Sequence, residues 1–216
     1  MRKKIIVRGP VLTQSGYGEQ ARFALRALRA HEDKFDIFII PVGWGQTGWQ
    51  REDTEERRWI DHIIHKTNHA MSQQIPFDLS LQITIPNEWE PMAPINIGYT
   101  AGIESTKIDP AWIEKSSIMD KIIVVSNHAK HGFDKTVWSS KDENGNTVNI
   151  QNKVPVETVN YSARRWDPID IDLDLDYDFN FLAVAQWGPR KNLVNTVKWF
   201  VEECHDRKVG LVLKSN

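Results

Sequence analysis

The fold is decided first by residues 4–30, which read KIIVRGPVLTQSGYGEQARFALRALRA. Lys4 to Val7 make a short apolar run of the kind that forms a buried parallel strand. A loop through Gly16 and Gly18 follows, and a helix is predicted from Glu19 to Ala30 because its apolar side chains share one face. A strand, a loop and a helix in this order form the first part of a βαβ unit.

The same alternation continues along the chain. The strands predicted from apolar runs are 35–42, 79–85, 95–100, 121–126 and 154–161, and the predicted helices are 54–71, 110–118 and 127–138. Asn127 is the expected N-cap of the last helix, and the polar residues 141–147, with an Asn-Gly step, predict a surface turn. Strands alternating with helices favour an α/β fold, a Rossmann-like parallel sheet with helices on both faces.

A change of composition divides the chain. Residues 1–163 are predicted to form one Rossmann-like domain, and residues 164–178 a linker. The pattern then restarts over 179–216, with strands at 179–185 and 209–213 around a helix at 191–206. One βαβ unit cannot cover both faces of its own sheet, so we expect the chain to end within a second, incomplete domain. A missing segment or a partner would complete it.

Composition excludes several classes of protein. The chain has 216 residues, a formal net charge of -2 and 40% hydrophobic residues, so no electrostatic argument favours nucleic acid or an anionic membrane surface. Cys204 is the single cysteine, which precludes an intramolecular disulfide and fits a reducing compartment. The amino terminus has too short an apolar run for a signal peptide, and no stretch approaches the ~18 apolar residues of a membrane span. We therefore expect a cytoplasmic protein.

The loop Ser15-Gly16-Tyr17-Gly18 before the first helix predicts a phosphate site, because glycines let the main chain approach an anion at a helix N-terminus. The spacing also matches a dinucleotide fingerprint. Two features count against that match. The first glycine of a dinucleotide site follows its strand directly, whereas Gly16 lies nine residues beyond Val7. The second strand also lacks the acidic residue that holds a ribose. An ordinary flexible loop is the remaining alternative.

A second candidate phosphate site is the strand-to-helix step from Val184 to Asn192. Arg190 and Lys191 lie at the predicted helix start, where cations neutralise a diphosphate but oppose the helix dipole. A bound anion would relieve that unfavourable placement.

With these segments in place, the chain resembles the retaining glycosyltransferases with two facing Rossmann-like domains, the GT-B fold, in the family-four-like group. Four segments carry the resemblance in the expected order, and together they span nearly the whole chain: the loop 15–18, Gly102-Ile103-Glu104-Ser105-Thr106, Ile123-Val124-Val125-Ser126-Asn127, and Gly188-Pro189-Arg190-Lys191-Asn192.

The resemblance implies a donor diphosphate near Gly16, Tyr17 and Gly18, gripped by Lys191 and joined by Lys214. Ala185-Gln186 stand where the family often has Gly-Arg, so Arg190 would have to replace the usual phosphate arginine. The family's paired glutamates would lie beyond Asn216, and this chain alone is expected to turn over little or no donor.

The resemblance also implies the reaction. A sugar would pass from a nucleotide-sugar donor to an acceptor hydroxyl, with retained configuration, without an obligatory metal and with no cofactor beyond the substrate itself. Glu104 is the candidate acceptor-side polar group, unless it is a capping or solvated carboxylate. Trp44 and Trp49, in a glycine-rich loop after the second strand, are candidate contacts to a saccharide or other hydroxyl acceptor. A non-catalytic nucleotide- or sugar-binding fragment is the alternative, and a nicotinamide dehydrogenase is disfavoured.

Two further patterns suggest metals and fail on inspection. His62, His65 and His69 share the helix face opposite the apolar one, so they are expected in solvent. The alternating aspartates 170–178 lack the glycine and glutamate that a calcium loop needs. No metal site is predicted.

Overall fold

The computed structural model describes residues 2–44, 47–102, 105–141 and 143–215. The chain divides into two compact units, unit 1 (Met1–Arg164) and unit 2 (Arg165–Asn216). Each unit is described by itself. No helix in the described part of the chain is long and apolar enough to span a membrane.

Unit 1 is built on a six-stranded parallel sheet. Its described strands are β1 (Lys3–Gly9), β2 (Phe35–Pro41), β3 (Leu79–Ile83), β4 (Ile95–Thr100), β5 (Lys121–Val124), β6 (Val137–Lys141), β7 (Thr147–Gln151) and β8 (Val156–Thr158). The sheet has the order β2-β1-β3-β4-β5-β8 with every pair parallel, and β6 and β7 form a separate antiparallel hairpin. The predicted α/β class with a Rossmann-like parallel sheet is confirmed.

Four described helices connect these strands: α1 (Gly16–Arg29), α2 (Glu55–Ser72), α3 (Pro110–Ser116) and α4 (Asn127–Lys135). A side chain caps the first turn of each, and the capping residues are Ser15, Thr54, Asp109 and Ser126. The predicted cap Asn127 is therefore wrong by one residue, because the Ser126 hydroxyl accepts the Ala129 amide at 3.1 Å.

The prediction that the last of these helices continues to Trp138 is also wrong. Trp138 belongs to β6, and its indole donates to the Ile108 carbonyl at 2.8 Å. The chain reverses at Gly145, whose φ of +80° suits glycine, and pairs β6 with β7. The predicted turn at 141–147 is the connection of this hairpin.

Helices cover both faces of the sheet. On one face, Ala21 and Leu25 of α1 pack with alternate strand residues such as Val7 and Ile39. On the opposite face, α3, α4 and the strands form a second core. Its members include Ile113, Phe133, Ile122, Val124 and Val156. Helix α2 runs along the edge strand β2, where the Thr67 hydroxyl accepts the Ile39 amide at 2.8 Å. This contact satisfies part of an edge that would otherwise be unpaired.

The strand order creates a switch point. From β1 the chain crosses to β2 on one side, and then returns to β3 on the other side of β1. The loops that leave β1 and β3 therefore diverge at the carboxyl ends of the strands, here called the carboxyl edge. Open α/β sheets bind ligands in the crevice that such a divergence leaves.

Unit 2 contains one parallel βαβ unit, made of β9 (Asn180–Val184), α5 (Leu193–Cys204) and β10 (Gly210–Lys214). A short 3-10 turn, Pro189–Lys191, precedes α5, so the helix starts two residues later than predicted. Residues 159–179 form no helix or strand. Apolar side chains of β9 remain open to solvent, among them Leu182 at 68% exposure.

Candidate functional site

The N-terminus of α1 presents main-chain donors at the carboxyl edge. The Ser15 hydroxyl accepts the Gly18 amide at 3.0 Å, whereas the amides of Gly16 and Tyr17 have no acceptor in the described part of the protein. A Cβ added to Gly16 would meet nothing within 4 Å. Helix N-termini with free amides attract acceptor oxygens, so a ligand has room to approach here.

The sequence predicted Gly16 and Gly18 in a loop before a helix starting at Glu19, but both lie in the first turn of α1 because Ser15 caps it. The two glycines differ in their surroundings. A Cβ on Gly18 would lie 2.1 Å from the Thr13 carbonyl oxygen and 3.0 Å from that of Pro10. The buried Arg22 holds the same segment by donating to the Val11 and Thr13 carbonyls, both at 2.9 Å. Packing alone therefore explains Gly18, whereas it does not explain Gly16.

Tyr17 connects the start of α1 to the end of β4. Its hydroxyl bonds the Thr100 hydroxyl at 2.8 Å and accepts the Ala101 amide at 3.1 Å. Burial raises the pKa of the phenol, hydrogen bonds from Thr100 and Ala101 act in the opposite direction, and the charge of Glu88 adds to the rise. The phenol therefore holds the start of α1 against the end of β4.

The loop after β2 adds Trp44 to this group. Its ring meets that of Tyr17 edge-on with centroids 4.6 Å apart, and its indole donates to Glu88 Oε1 at 2.9 Å. Tyr17, Trp44, Glu88 and Thr100 therefore form one contact set, here called the Tyr17–Glu88 cluster. The loops after β2 and β3, the end of β4 and the N-terminus of α1 each contribute one member.

Trp49 forms an isolated bridge with Thr13 and is 46% exposed. Its ring lies near Gly43, 3.9 Å from where a Cβ on that glycine would be. Of the two tryptophans, Trp44 contacts the cluster through both its ring and its indole N–H. Glu104, the other acceptor-side candidate, lies outside the described residues.

Glu88 was missed by sequence reasoning. The signal was present, because Glu88 follows the third strand within a few residues and so falls at the carboxyl edge. Acidic side chains that follow a parallel strand directly are candidates for ligand contact.

In unit 2, the N-terminus of α5 is uncapped. Asn192 has a left-handed φ of 55° and makes no side-chain cap. The amides of Leu193, Val194 and Asn195 have no acceptor among the residues that the structure describes. These three free donors lie at the helix start where the sequence predicts a second main-chain anion site.

Basic side chains stand at the same edge of this βαβ unit. Lys191 is exposed in the turn before α5, and Arg190 precedes it. Lys214 is level with Val184 across the parallel pair, and its carbonyl accepts the Ala185 amide at 3.2 Å. The end of β10 therefore lies beside the loop that leads to α5.

No metal centre emerges from the described ranges, in which no three His, Cys, Asp or Glu side chains are grouped as ligands. His62, His65 and His69 are exposed on α2, as predicted. Comparison of the chain with protein-family models, with curated proteins and with solved structures found no significant match.

Proposed function

We propose that this chain is part of a GT-B-type glycosyltransferase that moves a sugar from a nucleotide-sugar donor to an acceptor hydroxyl. One observation carries the proposal. The uncapped N-terminus of α5, with three free amides, stands beside Lys191 and close to the strand end that bears Lys214. This arrangement suits a diphosphate.

The chemistry follows from the charge that a nucleotide-sugar develops. As the glycosidic bond breaks, the diphosphate gains negative charge on its leaving oxygen. Amide dipoles and ammonium groups already in position stabilise that charge without reorganising. Arg190 takes the part that the resembled family gives to an arginine two positions after the strand.

Unit 1 takes the acceptor-side role in this proposal. Gly16, Tyr17 and Gly18, which the resemblance places near the donor diphosphate, offer free amides at Gly16 and Tyr17 that suit phosphate oxygens, with Gly18 as the packing residue that allows this turn to form. Trp44 and Trp49 offer aromatic surface to a saccharide. The reaction proceeds with retention and without a metal in this proposal, as in the resembled group.

Calorimetric titration with UDP, GDP and NAD tests the donor site. We expect a nucleoside diphosphate to bind, and Lys191→Ala to weaken it about tenfold to a hundredfold, because one charge-assisted contact is lost. The matched control is Lys198→Ala within α5, where the lysine side chain is 62% exposed and its Nζ lies 3.7 Å from Glu202 Oε1. Equal binding to both variants, or tighter binding of NAD than of either diphosphate, would refute the donor-site assignment.

A transfer assay with labelled nucleotide-hexoses separates the enzyme from its alternative. Transfer of the labelled sugar to a hydroxyl acceptor supports the transferase. Nucleotide binding with no transfer to any hydroxyl acceptor would favour a non-catalytic binding module instead.

A further inference from the structure

A cavity of about 240 Å³ lies in unit 1 between α1 and one face of the sheet. Its floor is formed by Leu81 of β3, Tyr99 of β4 and Ile123 of β5, which lie on the same face of three neighbouring strands. The side chains that line it from α1 recur every three or four residues: Gln20, Phe23, Ala24, Ala27 and Leu28. Its described lining includes no member of the Tyr17–Glu88 cluster, so it is a second candidate site.

The arrangement of the helices leaves this part of the sheet open. Helices α3 and α4 pack on the opposite face, and α2 lies along the edge strand β2. Among the described helices, α1 therefore borders β4 and β5 on this face without covering them. The cavity is the space between that helix and the uncovered strands.

The chain that follows β8 forms another wall of the cavity. This strap, residues 159–162, is held by its main chain, because the Val159 amide donates to the Val124 carbonyl at 2.8 Å. Tyr161 reaches back to α1 and donates its hydroxyl hydrogen to Gln20 Oε1 at 3.1 Å. The side chain of Tyr161 is 50% exposed. The rim of the cavity is therefore open to solvent.

The described lining of the cavity carries no charge. Apart from apolar side chains it consists of a glutamine, an asparagine, a serine and two tyrosines, Tyr99 and Tyr161. Burial raises the pKa of both phenols above the usual value near 10, so both are neutral at physiological pH. An ionised ligand would lose its hydration here without gaining a counter-charge, which is strongly unfavourable. The cavity therefore selects a neutral ligand.

The volume of the cavity sets the size of that ligand. A cavity of about 150 Å³ accommodates benzene, and pockets for drug-sized ligands begin at about 300 Å³. One turn of an α-helix, about 10 Å across and about 5.4 Å long, fills roughly 400 Å³ and is too large. At about 240 Å³ the cavity fits a single ring with one small substituent.

Tyr161 supplies an acceptor for the substituent. Its hydroxyl hydrogen is donated to Gln20, so the oxygen keeps lone pairs for a ligand. Gln20 Nε2 has no hydrogen-bond partner in the described part of the chain, but it is itself enclosed, and a ligand reaches Tyr161 instead. Phe23 on α1 and Tyr161 on the strap add aromatic surface, which favours an aromatic ring over an aliphatic chain.

We propose that this cavity binds a small neutral aromatic compound of about eight or nine non-hydrogen atoms, a benzyl-type alcohol or amide that donates its polar hydrogen to the Tyr161 oxygen. Such a site goes beyond the proposed transferase and does not depend on it, because its described lining includes none of the residues assigned to the donor or to the acceptor.

The test uses the chain labelled with ¹³C at its alanine methyl groups. The readout is the methyl signal of Ala27, which lines the exposed rim of the cavity, and the signal is assigned by its loss in Ala27→Ser. Benzyl alcohol and benzamide are the neutral probes, and at least one should shift this signal saturably with a Kd of roughly 1 mM. Benzoate and benzylammonium have the same ring and carry a charge, so each should bind at least tenfold more weakly.

Two substitutions fill the cavity from α1. Ala24→Leu and Ala24→Met both add volume at its wall, the second with a more flexible side chain. We expect either to lower the affinity for the neutral probes at least tenfold, and the variant whose melting curve matches the wild type more closely supplies the comparison. Ala30→Leu, at the exposed C-cap of the same helix and outside the described lining, should bind like the wild type.

Tyr161→Phe tests the polar contact. It should weaken the binding of benzyl alcohol about threefold to tenfold, since one hydrogen bond is lost. The binding of toluene, which has the same ring and no polar group, should stay unchanged. Equal effects on the two compounds would overturn the contact to Tyr161.

Several results overturn the site itself. They are the absence of a saturable Ala27 shift with both neutral probes, equal affinity of the wild type and the folded filling variant, and binding of either charged probe as tight as that of the neutral ones. Sedimentation of the ligand-free chain tests a second copy as the occupant. A dimer that Ala24→Leu dissociates would mean that self-association covers the cavity, and this result also overturns the inference.

Discussion

Replacing each glycine in the first turn of α1 by alanine separates packing from function. In Gly18→Ala the new methyl group would lie 2.1 Å from the Thr13 carbonyl oxygen and 2.8 Å from the Thr13 hydroxyl. The first of these atoms is main chain, so the segment before the helix must move. In Gly16→Ala the methyl group would meet nothing within 4 Å.

The expected cost of Gly18→Ala is about 3 kcal/mol. Overpacking at a site that cannot rotate away contributes about 1 to 3 kcal/mol. Displacing Thr13 also weakens its bond to Arg22, a buried contact to a charged group worth about 1.5 to 3 kcal/mol if lost entirely. Gly16→Ala should change the free energy of unfolding by less than about 1 kcal/mol, and in the stabilising direction if the alanine favours the helix.

Urea titration of both variants, followed by circular dichroism, gives the free energies. For a chain of this length, 3 kcal/mol corresponds to a fall in melting temperature of about 6 to 12 °C. A Gly18→Ala variant within about 0.5 kcal/mol of the wild type would refute the packing argument. So would a Gly16→Ala variant that is destabilised as much as Gly18→Ala. A Gly16→Ala variant that keeps its stability but loses ligand affinity would assign Gly16 a binding role.

Further predictions concern buried contacts of unit 1. Gly98→Ala places a Cβ 2.4 Å from Cζ2 of the fully buried Trp89, so we expect the free energy of unfolding to fall by about 1 to 3 kcal/mol. Adding Trp89→Phe to this variant should recover part of the loss. If the two losses are strictly additive in a double-mutant cycle, the contact is contradicted. Burial raises the pKa of Tyr17, Tyr99 and Tyr161 above the usual value near 10. Because the folded state then holds these protons more tightly than the unfolded chain, the tyrosines stabilise unit 1 below about pH 10, and this contribution is lost as the pH rises through the folded pKa values. Denaturation at pH 8 to 11 should show this fall, and Tyr17→Phe should flatten its slope; an unchanged slope would contradict the role of the buried phenol.

Periodicity alone gave most of the fold. The runs at 4–7, 35–42, 79–85, 95–100 and 121–126 all coincide with or overlap strands of the sheet, because side chains buried on both faces make a strand continuously apolar. Capping chemistry was less informative, because the one predicted cap, Asn127, was wrong by one residue. Ser15 and Thr54, which the sequence reading did not name as caps, begin helices by accepting amides three residues ahead.

The errors in the fold fall where contacts distant in sequence compete with local preference. Residues 136–138 continue a helical pattern, but the Thr136 hydroxyl accepts the Ile108 amide at 3.0 Å and Trp138 bonds the Ile108 carbonyl. These two bonds draw the segment out of the helix and into a hairpin. No window of neighbouring residues contains that information.

The candidate site divides in the same way. The sequence by itself determined that glycines, a helix start and basic residues follow strands, which is enough to place main-chain donors at two sheet edges. Only the tertiary structure distinguished Gly16 from Gly18 and Trp44 from Trp49, and only it brought Glu88 into the cluster. The physical reason is separation along the chain, because Trp44 and Glu88 are 44 residues apart and Tyr17 and Thr100 are 83 apart. Local chemistry chooses strands and helices, and the order of strands in the sheet then chooses which loop side chains meet.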